Sequence, residues 1–255
     1  MKRTLVVALF AAAAAGLGGT WLGAHIGRRY EKNWECCAMP RGHNMIVSAK
    51  ETFGLLRFPS QIGQDRWVAE TIFPGVTNGY FLDVGSADGF FNSNTWALER
   101  RGWTGICVDP FPSNTAGRTC RLFKEPVDAV AGRQIEFKSA GETGGISDYL
   151  GQGKAAVASA PTVRLTTTTL GDILQRAHAP SFIHFMSLDI EGAELQALEG
   201  FPFARYALGA MAIEHNYEEP KRSSIERLLK SHGYVRVRTL MQDDFYLSAE
   251  LAARR

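Results

Sequence analysis

The sequence has few cysteines, no long charged tract and no internal repeat. It holds four cysteines in 255 residues, and none of them stand in the C-x-x-C spacing that zinc modules and redox motifs use. This scarcity excludes a small scaffold held together by disulfides and a structural zinc module. With 45% hydrophobic and 21% charged residues, the composition is that of a folded globular protein, because disordered and fibrous chains depart from it.

An excess of charge of one sign is also lacking, because 28 basic residues are balanced by 26 acidic ones. The small excess lies at the amino terminus: residues 1–32 carry a net charge of +4, and residues 33–255 carry −2. A slightly acidic domain offers no positive surface to a phosphate backbone. We therefore expect no nucleic-acid partner.

The one long uncharged stretch is residues 4–24, which contain neither charge nor proline. As a helix they would reach roughly 31 Å, close to the hydrocarbon thickness of a bilayer. Basic residues flank them on both sides. We interpret residues 1–27 as a membrane anchor and residues 28–59 as a juxtamembrane connector. A cleaved signal peptide, with a cleavage-like Ala13-x-Ala15, is the alternative.

From residue 60 onward, apolar strand-like segments alternate with helical ones. Strands are expected at Tyr80–Val84, Gly105–Val108, Val127–Val130, Phe182–Leu188, Met211–Ile213, Tyr234–Leu240 and Phe245–Leu247. Helices are expected at Asn94–Arg101, Thr169–Arg176, Ala193–Leu198 and Ser224–Ser231. The alternation predicts right-handed crossovers and a doubly wound, mostly parallel α/β sheet, to which the final hairpin adds one antiparallel strand. This domain is predicted to span residues 60–250.

Ligands of such sheets bind beyond the carboxyl ends of the strands, so the residues after each strand are the candidates for chemistry. After the first strand comes a glycine turn with the residues Asp83, Gly85, Ser86, Ala87, Asp88 and Gly89. The dinucleotide fingerprint needs glycine at its third and sixth positions, where Ala87 and Phe90 stand. This departure disfavours a nicotinamide cofactor and favours a nucleoside without a pyrophosphate. An NAD-dependent oxidoreductase is the alternative.

An acidic residue follows the second strand. Asp109 lies 24 residues beyond Gly85, at the place where a carboxylate can accept hydrogen bonds from the ribose hydroxyls of a nucleoside. Asp128, in the third expected strand segment, is a candidate for the amine of adenine, or it only begins a turn. Together with the glycine turn, Asp109 predicts a nucleoside-binding site.

Further carboxylates follow the next two strands. Asp189 ends the fourth strand, Glu191 opens the helix behind it, and Glu214 and His215 follow the fifth. Asp189, Glu191 and His215 are candidates for the base that takes a proton, or for positioning a substrate. We assign no metal site, but Asp189, Glu191 and Glu214 are oxygen ligands of the kind that magnesium prefers, which leaves a metal-assisted variant open. Glu194 is interpreted as a charge that favours a helix amino terminus.

Seven short sequence motifs are distributed along this domain: Ser60–Asp65, Phe81–Gly89, Ser93–Thr95, Gly102–Gly105, Asp109–Pro110, Ser187–Glu194 and Ile213–Glu214. With them, residues 59–248 resemble the FkbM-like S-adenosylmethionine-dependent methyltransferases. Asp189-Ile190-Glu191-Gly192-Ala193-Glu194 is the most specific string. The resemblance implies a seven-stranded Rossmann-like methyltransferase fold, here preceded by the predicted transmembrane helix, with Asp83, Gly85 and Asp109 near the cofactor.

The resemblance also implies S-adenosylmethionine as the cofactor, and methylation of a hydroxyl on a sugar, glycan, lipid-linked or polyketide acceptor. The family often carries Glu where Asp109 stands. Because this cofactor is made inside the cell, we expect the domain on the cytoplasmic face of the membrane. A non-catalytic, membrane-tethered nucleoside-binding module is the remaining alternative.

Overall fold

The computed structural model describes residues 57–255, apart from the side chain of Gln152. The predicted membrane anchor, residues 1–27, and most of the predicted connector, residues 28–59, lie outside the described residues. Within residues 57–255, no helix combines the length and the apolar character needed to cross a membrane. The fold below is that of the domain predicted from residue 60 onward.

Ten strands are described, and they are numbered along the chain. They are β1 (Tyr80–Val84), β2 (Thr104–Val108), β3 (Arg121–Phe123), β4 (Gln134–Lys138), β5 (Gly145–Ile146), β6 (Thr162–Thr166), β7 (Phe182–Leu188), β8 (Ala207–Glu214), β9 (Tyr234–Leu240) and β10 (Asp243–Ser248). Seven of them form the main sheet in the order β3-β2-β1-β7-β8-β10-β9. Neighbours in this sheet are parallel, except that β10 is antiparallel to both β8 and β9. This confirms the predicted doubly wound sheet with one antiparallel strand.

The strand order reverses between β1 and β7. The chain runs outward from β1 to β3 and returns to the sheet at β7, on the other side of β1. β1 and β7 pair in parallel, from Phe81 opposite Phe185 to Val84 opposite Leu188. Their carboxyl ends therefore open side by side, and this switch point is where doubly wound sheets bind ligands.

The helices of the domain are short. They are α1 (Gln64–Arg66), which continues as a π-helical turn (Trp67–Ile72), α2 (Trp96–Glu99), α3 (Leu170–Ala177), α4 (Glu194–Glu199), α5 (Lys221–Ser231) and α6 (Ala249–Ala253). Thr169 caps α3, since its side chain accepts the N–H of Asp172 at 3.1 Å. The helix predicted at Asn94–Arg101 is reduced to the single turn α2.

The main sheet is buried on both faces, because successive strand residues point to opposite sides. Leu82 and Val84 of β1 pack with residues of α3, α4 and α5. Phe81 and Phe185 pack on the other face with residues of α2 and of the π-helical turn. All four of these side chains are fully buried. Burial of each such side chain contributes roughly 1.5–3 kcal/mol, so the sheet is a firm base for the loops beyond its carboxyl edge.

One predicted strand is wrong. The third strand of the main sheet is Arg121–Phe123, and Val127–Val130 forms no strand. Val127 makes only an isolated bridge to Thr168, and Val130 is 64% exposed. The carboxylate of Asp128 accepts the N–H of Ala129 at 2.8 Å, and such a local bond competes with strand pairing. The valines are therefore held in a turn.

A second, three-stranded antiparallel sheet was not predicted from the sequence. Its order is β5-β4-β6. In β4, Ile135 and Phe137 are buried while Gln134 and Glu136 are exposed. The buried side chains of this sheet pack on Ala193 and Ile190, directly after β7. The small sheet therefore covers the switch point of the main sheet.

A disulfide joins β2 to the segment before β3. Cys107 and Cys120 are bonded, with their Cα atoms 5.7 Å apart. The chain is not a disulfide scaffold, because its hydrophobic cores lie elsewhere. The low cysteine count nevertheless gave no indication of this bond, since strand order alone brings the two residues together.

An ion pair nearly closed to solvent lies beside this disulfide. Arg118 Nε is 2.6 Å from Glu99 Oε2, and the two side chains are 5% and 4% exposed. Glu99 also accepts the backbone N–H of Thr119 at 3.0 Å and that of Cys120 at 2.7 Å. The ion pair therefore holds the segment that precedes β3 against the end of α2.

We expect Glu99→Gln to lower the free energy of unfolding by about 3–5 kcal/mol, because the Arg118 guanidinium would stay buried without its carboxylate. Urea unfolding followed by circular dichroism measures this. Glu250→Gln is the matched control, since Glu250 pairs with Arg254 on the exposed surface, where an ion pair contributes about 0–1 kcal/mol. Equal losses in the two variants would contradict the role assigned to the buried pair.

Candidate functional site

β1 ends in a turn that requires glycine at its first position. Gly85 has a φ of 87°, and a Cβ on it would lie 1.6 Å from the carbonyl oxygen of Asp189. The N–H groups of Gly85 and Ser86 donate to the carbonyl oxygen of Val108 at 2.8 and 3.1 Å. The turn therefore passes between the ends of β2 and β7, with backbone in contact on both sides.

Asp109 follows β2 and is hydrogen-bonded to the same turn. Its Oδ2 accepts the N–H of Ala87 at 2.9 Å, and its Oδ1 accepts the N–H of Phe111 at 2.7 Å. Burial raises the pKa of the Asp109 carboxyl, and the two backbone donors oppose that rise. Each carboxylate oxygen retains a further lone pair. Asp109 is thus fixed by the backbone and still able to accept two hydroxyl groups.

The turn and Asp109 open into a cleft of about 590 Å³, counted to its open mouth. The small sheet closes one side, and the lining includes Gly85, Ala87, Asp109, Phe111, Phe137, Asp189 and Glu191. The ionisable side chains among the described lining residues are all carboxylates: Asp109, Glu125, Glu142, Asp189 and Glu191. The cleft is therefore lined by carboxyl groups and, among the described lining residues, by no basic side chain.

Three carboxyl groups meet beyond β7 and β8. One oxygen of each of Asp189, Glu191 and Glu214 lies within 4.8 Å of the other two. Burial, and then repulsion between neighbouring carboxylates, raise the pKa of Asp189 and of Glu214 well above their ordinary values. These two side chains also hydrogen-bond each other, which requires a proton between them. Burial raises the pKa of Glu191 to about 7, so the cluster is able to exchange protons near neutral pH.

The same three groups are able to hold a divalent cation. Carboxylate oxygens are the ligands that magnesium and calcium prefer in proteins. A cation between them would also offset the mutual repulsion that raises their pKa values. The spacing of Asp189, Glu191 and Glu214 thus fits the metal-assisted variant as well as proton transfer.

Glu194 has a larger role than that of a charge at a helix amino terminus. Glu194 begins α4 as predicted, but it is fully buried, and its Oε1 accepts the N–H of Ile190 at 3.1 Å and that of Gly192 at 3.0 Å. Its Oε2 lies 2.8 Å from Nζ of Lys221, a residue that the sequence analysis did not consider. Glu194 therefore shapes the loop that carries Glu191. In the sequence, the three-residue spacing between Glu191 and Glu194 was the feature that could have indicated this role.

Two predicted residues do not reach the cleft. His215 is 1% exposed, and its Nδ1 accepts the N–H of Tyr217 at 2.9 Å. Burial lowers the pKa of its imidazole. Asp128 is 2% exposed and accepts a hydrogen bond from Nε of Arg133 at 2.6 Å. Neither side chain is placed to touch a ligand in the cleft.

Other predicted residues shape the glycine turn without lining the cleft at Asp109. Asp83 is buried and accepts a hydrogen bond from Oγ1 of Thr95. Oδ1 of Asp88 accepts the N–H groups of Phe90 and Phe91 at 2.9 and 2.8 Å. Ser86 and Gly89 line a second cleft on the side of Arg118, not the cleft at Asp109. These four residues therefore shape the turn, and Gly85, Ala87 and Asp109 face the main cleft.

Arg118 is a further residue that the sequence analysis missed. Its Nη1 donates to the carbonyl oxygen of Gly89 at 3.2 Å, and its Nη2 donates to Oγ1 of Thr95 at 2.8 Å. It thereby ties the far end of the glycine turn to the loop after β2. No motif surrounds Arg118 in the sequence, so nothing there marked it.

The comparison with protein families agrees with this geometry. A model described as the methyltransferase FkbM domain matches residues 83–236, from the middle of β1 into β9, which is more than half of the chain. The matched range holds the glycine turn, Asp109 and the three clustered carboxylates. A search of curated proteins finds no match to the chain. On the strength of the family match, the chain belongs to the FkbM methyltransferase family.

Proposed function

We propose that the protein transfers a methyl group from S-adenosylmethionine to a hydroxyl group. Methyltransferase chemistry follows from the family, whereas the cofactor and the oxygen acceptor are our proposal. The observation that carries it is the meeting of Gly85, Asp109 and the Asp189 cluster around one cleft. The proposed nucleoside-binding site at Gly85 and Asp109 then lies next to carboxyl groups that are able to take a proton.

The residues present fit this cofactor. Both oxygens of Asp109 are oriented by backbone donors, as the acceptors of two ribose hydroxyls should be. Phe111 and Val127 give the neighbouring wall of the cleft apolar surface suited to a purine base. Asp189 and Glu191 place two carboxyl groups at the other end of the cleft. When bound there, the cofactor supplies an electrophilic methyl group on a sulfonium.

The remaining chemical task is to take the proton of the acceptor. An alcohol is a poor nucleophile, and a positioned base contributes roughly 10²–10⁴ to the rate of such a step. Glu191 lines the cleft, and burial raises its pKa to about 7, which suits a base at neutral pH. Asp189 lines the cleft beside it and is able to pass a proton to Glu214. Burial removes His215 from this task.

The NAD-dependent alternative has no support at the turn. Ala87 and Phe90 stand where the dinucleotide fingerprint needs glycine, and the N–H of Ala87 is engaged by Asp109. The metal-assisted variant has a specific observation in its favour, the spacing of Asp189, Glu191 and Glu214. We therefore treat metal assistance as the second candidate mechanism for the same transfer.

The first test is cofactor binding. We expect the full-length protein to bind S-adenosylmethionine in isothermal titration calorimetry, and Asp109→Ala to weaken that binding about ten- to hundredfold, because charge-assisted hydrogen bonds contribute about 1.5–3 kcal/mol. Asp109→Asn, which keeps one acceptor oxygen, should lie between the two. Asp148→Ala is the control, since Asp148 is exposed and outside the cleft. Unchanged affinity in Asp109→Ala would remove the ribose assignment.

The second test separates base catalysis from metal assistance. Transfer of radiolabelled methyl groups to a membrane extract from cells that lack the protein gives the rate. Glu191→Gln and Asp189→Asn should retain cofactor affinity and lose roughly 10²–10⁴ in rate if either acts as the base. With Glu191 as the base, the wild-type rate should rise with pH through about 7, because only the ionised carboxylate accepts a proton.

Glu136→Gln, on the exposed side of β4, is the control for these variants. A loss of cofactor binding in Asp189→Asn or Glu191→Gln would instead make these residues cofactor ligands. Inhibition of the wild-type rate by EDTA, reversed by magnesium, would show that the carboxylates work as metal ligands.

We further propose that residues 1–27 anchor the enzyme in the membrane, with the domain on the cytoplasmic face, where the cofactor is made. A sugar, glycan, lipid-linked or polyketide hydroxyl is the proposed acceptor. A topology reporter fused to the carboxyl terminus is expected to report the cytoplasmic side, and the protein to sediment with membranes. A reporter signal from the exported side, or release of a shortened soluble chain, would contradict the anchor.

A further inference from the structure

The disulfide between Cys107 and Cys120 has no part in the function proposed above. Cys107 lies in β2, two residues before Asp109, and Cys120 directly precedes β3. Cys107 is 2% exposed, whereas Cys120 is partly exposed. Both line the second cleft, together with Ser86, Gly89 and Arg118. The bond is thus placed directly behind the glycine turn.

We propose that Cys107–Cys120 is a redox-modification site, which dithiol reductants open and whose opening weakens binding of S-adenosylmethionine. The choice of ligand rests on the proposed function. The site itself rests on the contacts between the loop that the disulfide closes and the glycine turn.

The loop that the disulfide closes, residues 108–119, is hydrogen-bonded to the turn at several places, beginning with Val108, whose carbonyl oxygen accepts the N–H groups of Gly85 and Ser86. Asp109 accepts the N–H of Ala87. Ser113 donates its N–H to the carbonyl oxygen of Ala87 at 2.9 Å and accepts the N–H of Gly89 at 3.0 Å. Arg118 donates to the carbonyl oxygen of Gly89 at 3.2 Å. The loop and the turn therefore hold each other in one conformation.

The disulfide limits how far this loop is able to move. A cross-link restricts the conformations of the segment it encloses. Without it, the loop is attached through β2, β3, the hydrogen bonds above and the contacts of Arg118, Thr119 and Cys120 with Glu99. A more mobile loop has to be ordered again when the cofactor binds, and that ordering reduces affinity. Reduction should therefore weaken binding without removing any residue that faces the main cleft.

The surroundings of the two sulfur atoms also favour a defined order of reduction. A thiolate of the reductant attacks Sγ of the more exposed Cys120, and the sulfur of Cys107 leaves as a thiolate. Nη2 of Arg118 lies 3.2 Å from Sγ of Cys107, and a neighbouring cation stabilises a leaving thiolate.

The second thiol of the reductant then attacks the mixed disulfide and releases the Cys120 thiolate. The reductant ends as a disulfide, having given two electrons, and the two cysteines take up protons according to their pKa values. This step needs a dithiol and no other reagent. A disulfide in a cytoplasmic domain is usually of this reversible kind, because cytoplasmic thiols are kept reduced.

The experiment uses the full-length protein, purified in air, before and after treatment with excess dithiothreitol. Alkylation and peptide mass spectrometry should show Cys107 and Cys120 blocked before treatment and free after it. Calorimetry should show binding of S-adenosylmethionine about tenfold weaker after treatment, as expected when a constraint on loop conformations is lost. Removal of the reductant and reoxidation should restore the affinity.

Two variants separate this site from the other thiols of the chain. Cys120→Ser should bind with the weaker affinity and not respond to dithiothreitol. The double variant Cys36→Ser/Cys37→Ser, which keeps Cys107 and Cys120, should respond as the wild type does. Free Cys107 and Cys120 in the protein purified in air, a bond that resists dithiothreitol in the folded protein, or unchanged affinity after its reduction would each overturn the proposal.

Amide hydrogen exchange gives a second readout that needs no ligand. Reduction should speed the exchange of residues 85–91 and 109–119 in the wild type and leave residues 182–188 of β7 unchanged. Faster exchange would support the proposal even if Cys120→Ser fails to fold. If the oxidised protein binds no S-adenosylmethionine, the proposed cofactor is wrong. Unchanged exchange would overturn the redox site itself.

Discussion

The contact between the turn after β1 and the end of β7 is the constraint on which the site depends. A side chain at Gly85 would meet the carbonyl oxygen of Asp189 at 1.6 Å. Because no side chain is there, the turn packs directly against the end of β7, while Asp109 at the end of β2 bonds Ala87 on the other side of the turn. The same closeness brings the Asp189 carboxyl to the cleft that the turn lines. The absence of a Cβ at Gly85 thus allows the proposed nucleoside-binding site and the proposed base to lie close together.

The carboxylates at this edge oppose folding and favour binding. Asp189, Glu191 and Glu214 stand close together in a partly buried place, and burial raises the pKa of all three. Their mutual repulsion is unfavourable in the free protein. Lys221, which pairs with the neighbouring Glu194, offsets only part of it. A cationic ligand would offset the remainder. Functional sites commonly hold such locally unfavourable groups, which the surrounding fold compensates.

The predicted strands were correct where each strand carries its own signal. Phe182–Leu188 and Tyr234–Leu240 have their predicted bounds, because both segments are rich in the apolar, aromatic and β-branched residues that favour strands. The strand predicted at Val127–Val130 is absent because the Asp128 carboxylate bonds the N–H of its neighbour Ala129. The strands of the small sheet were missed because they are short and half polar, and their burial comes from packing on residues such as Ile190, Ala193 and Phe111. Their burial depends on residues far away in the chain.

The sequence by itself determined the family, six of the seven strands of the main sheet, and the residue types that follow each of them. These are local properties, set by periodicity, turn chemistry and short motifs. Only the tertiary structure decided which of those residues face the cleft: Asp189 and Glu191 do, whereas His215 and Asp128 are enclosed. It alone also joined Cys107 to Cys120. Whether a side chain meets ligand or core depends on what packs against it, and spacing along the chain does not encode that.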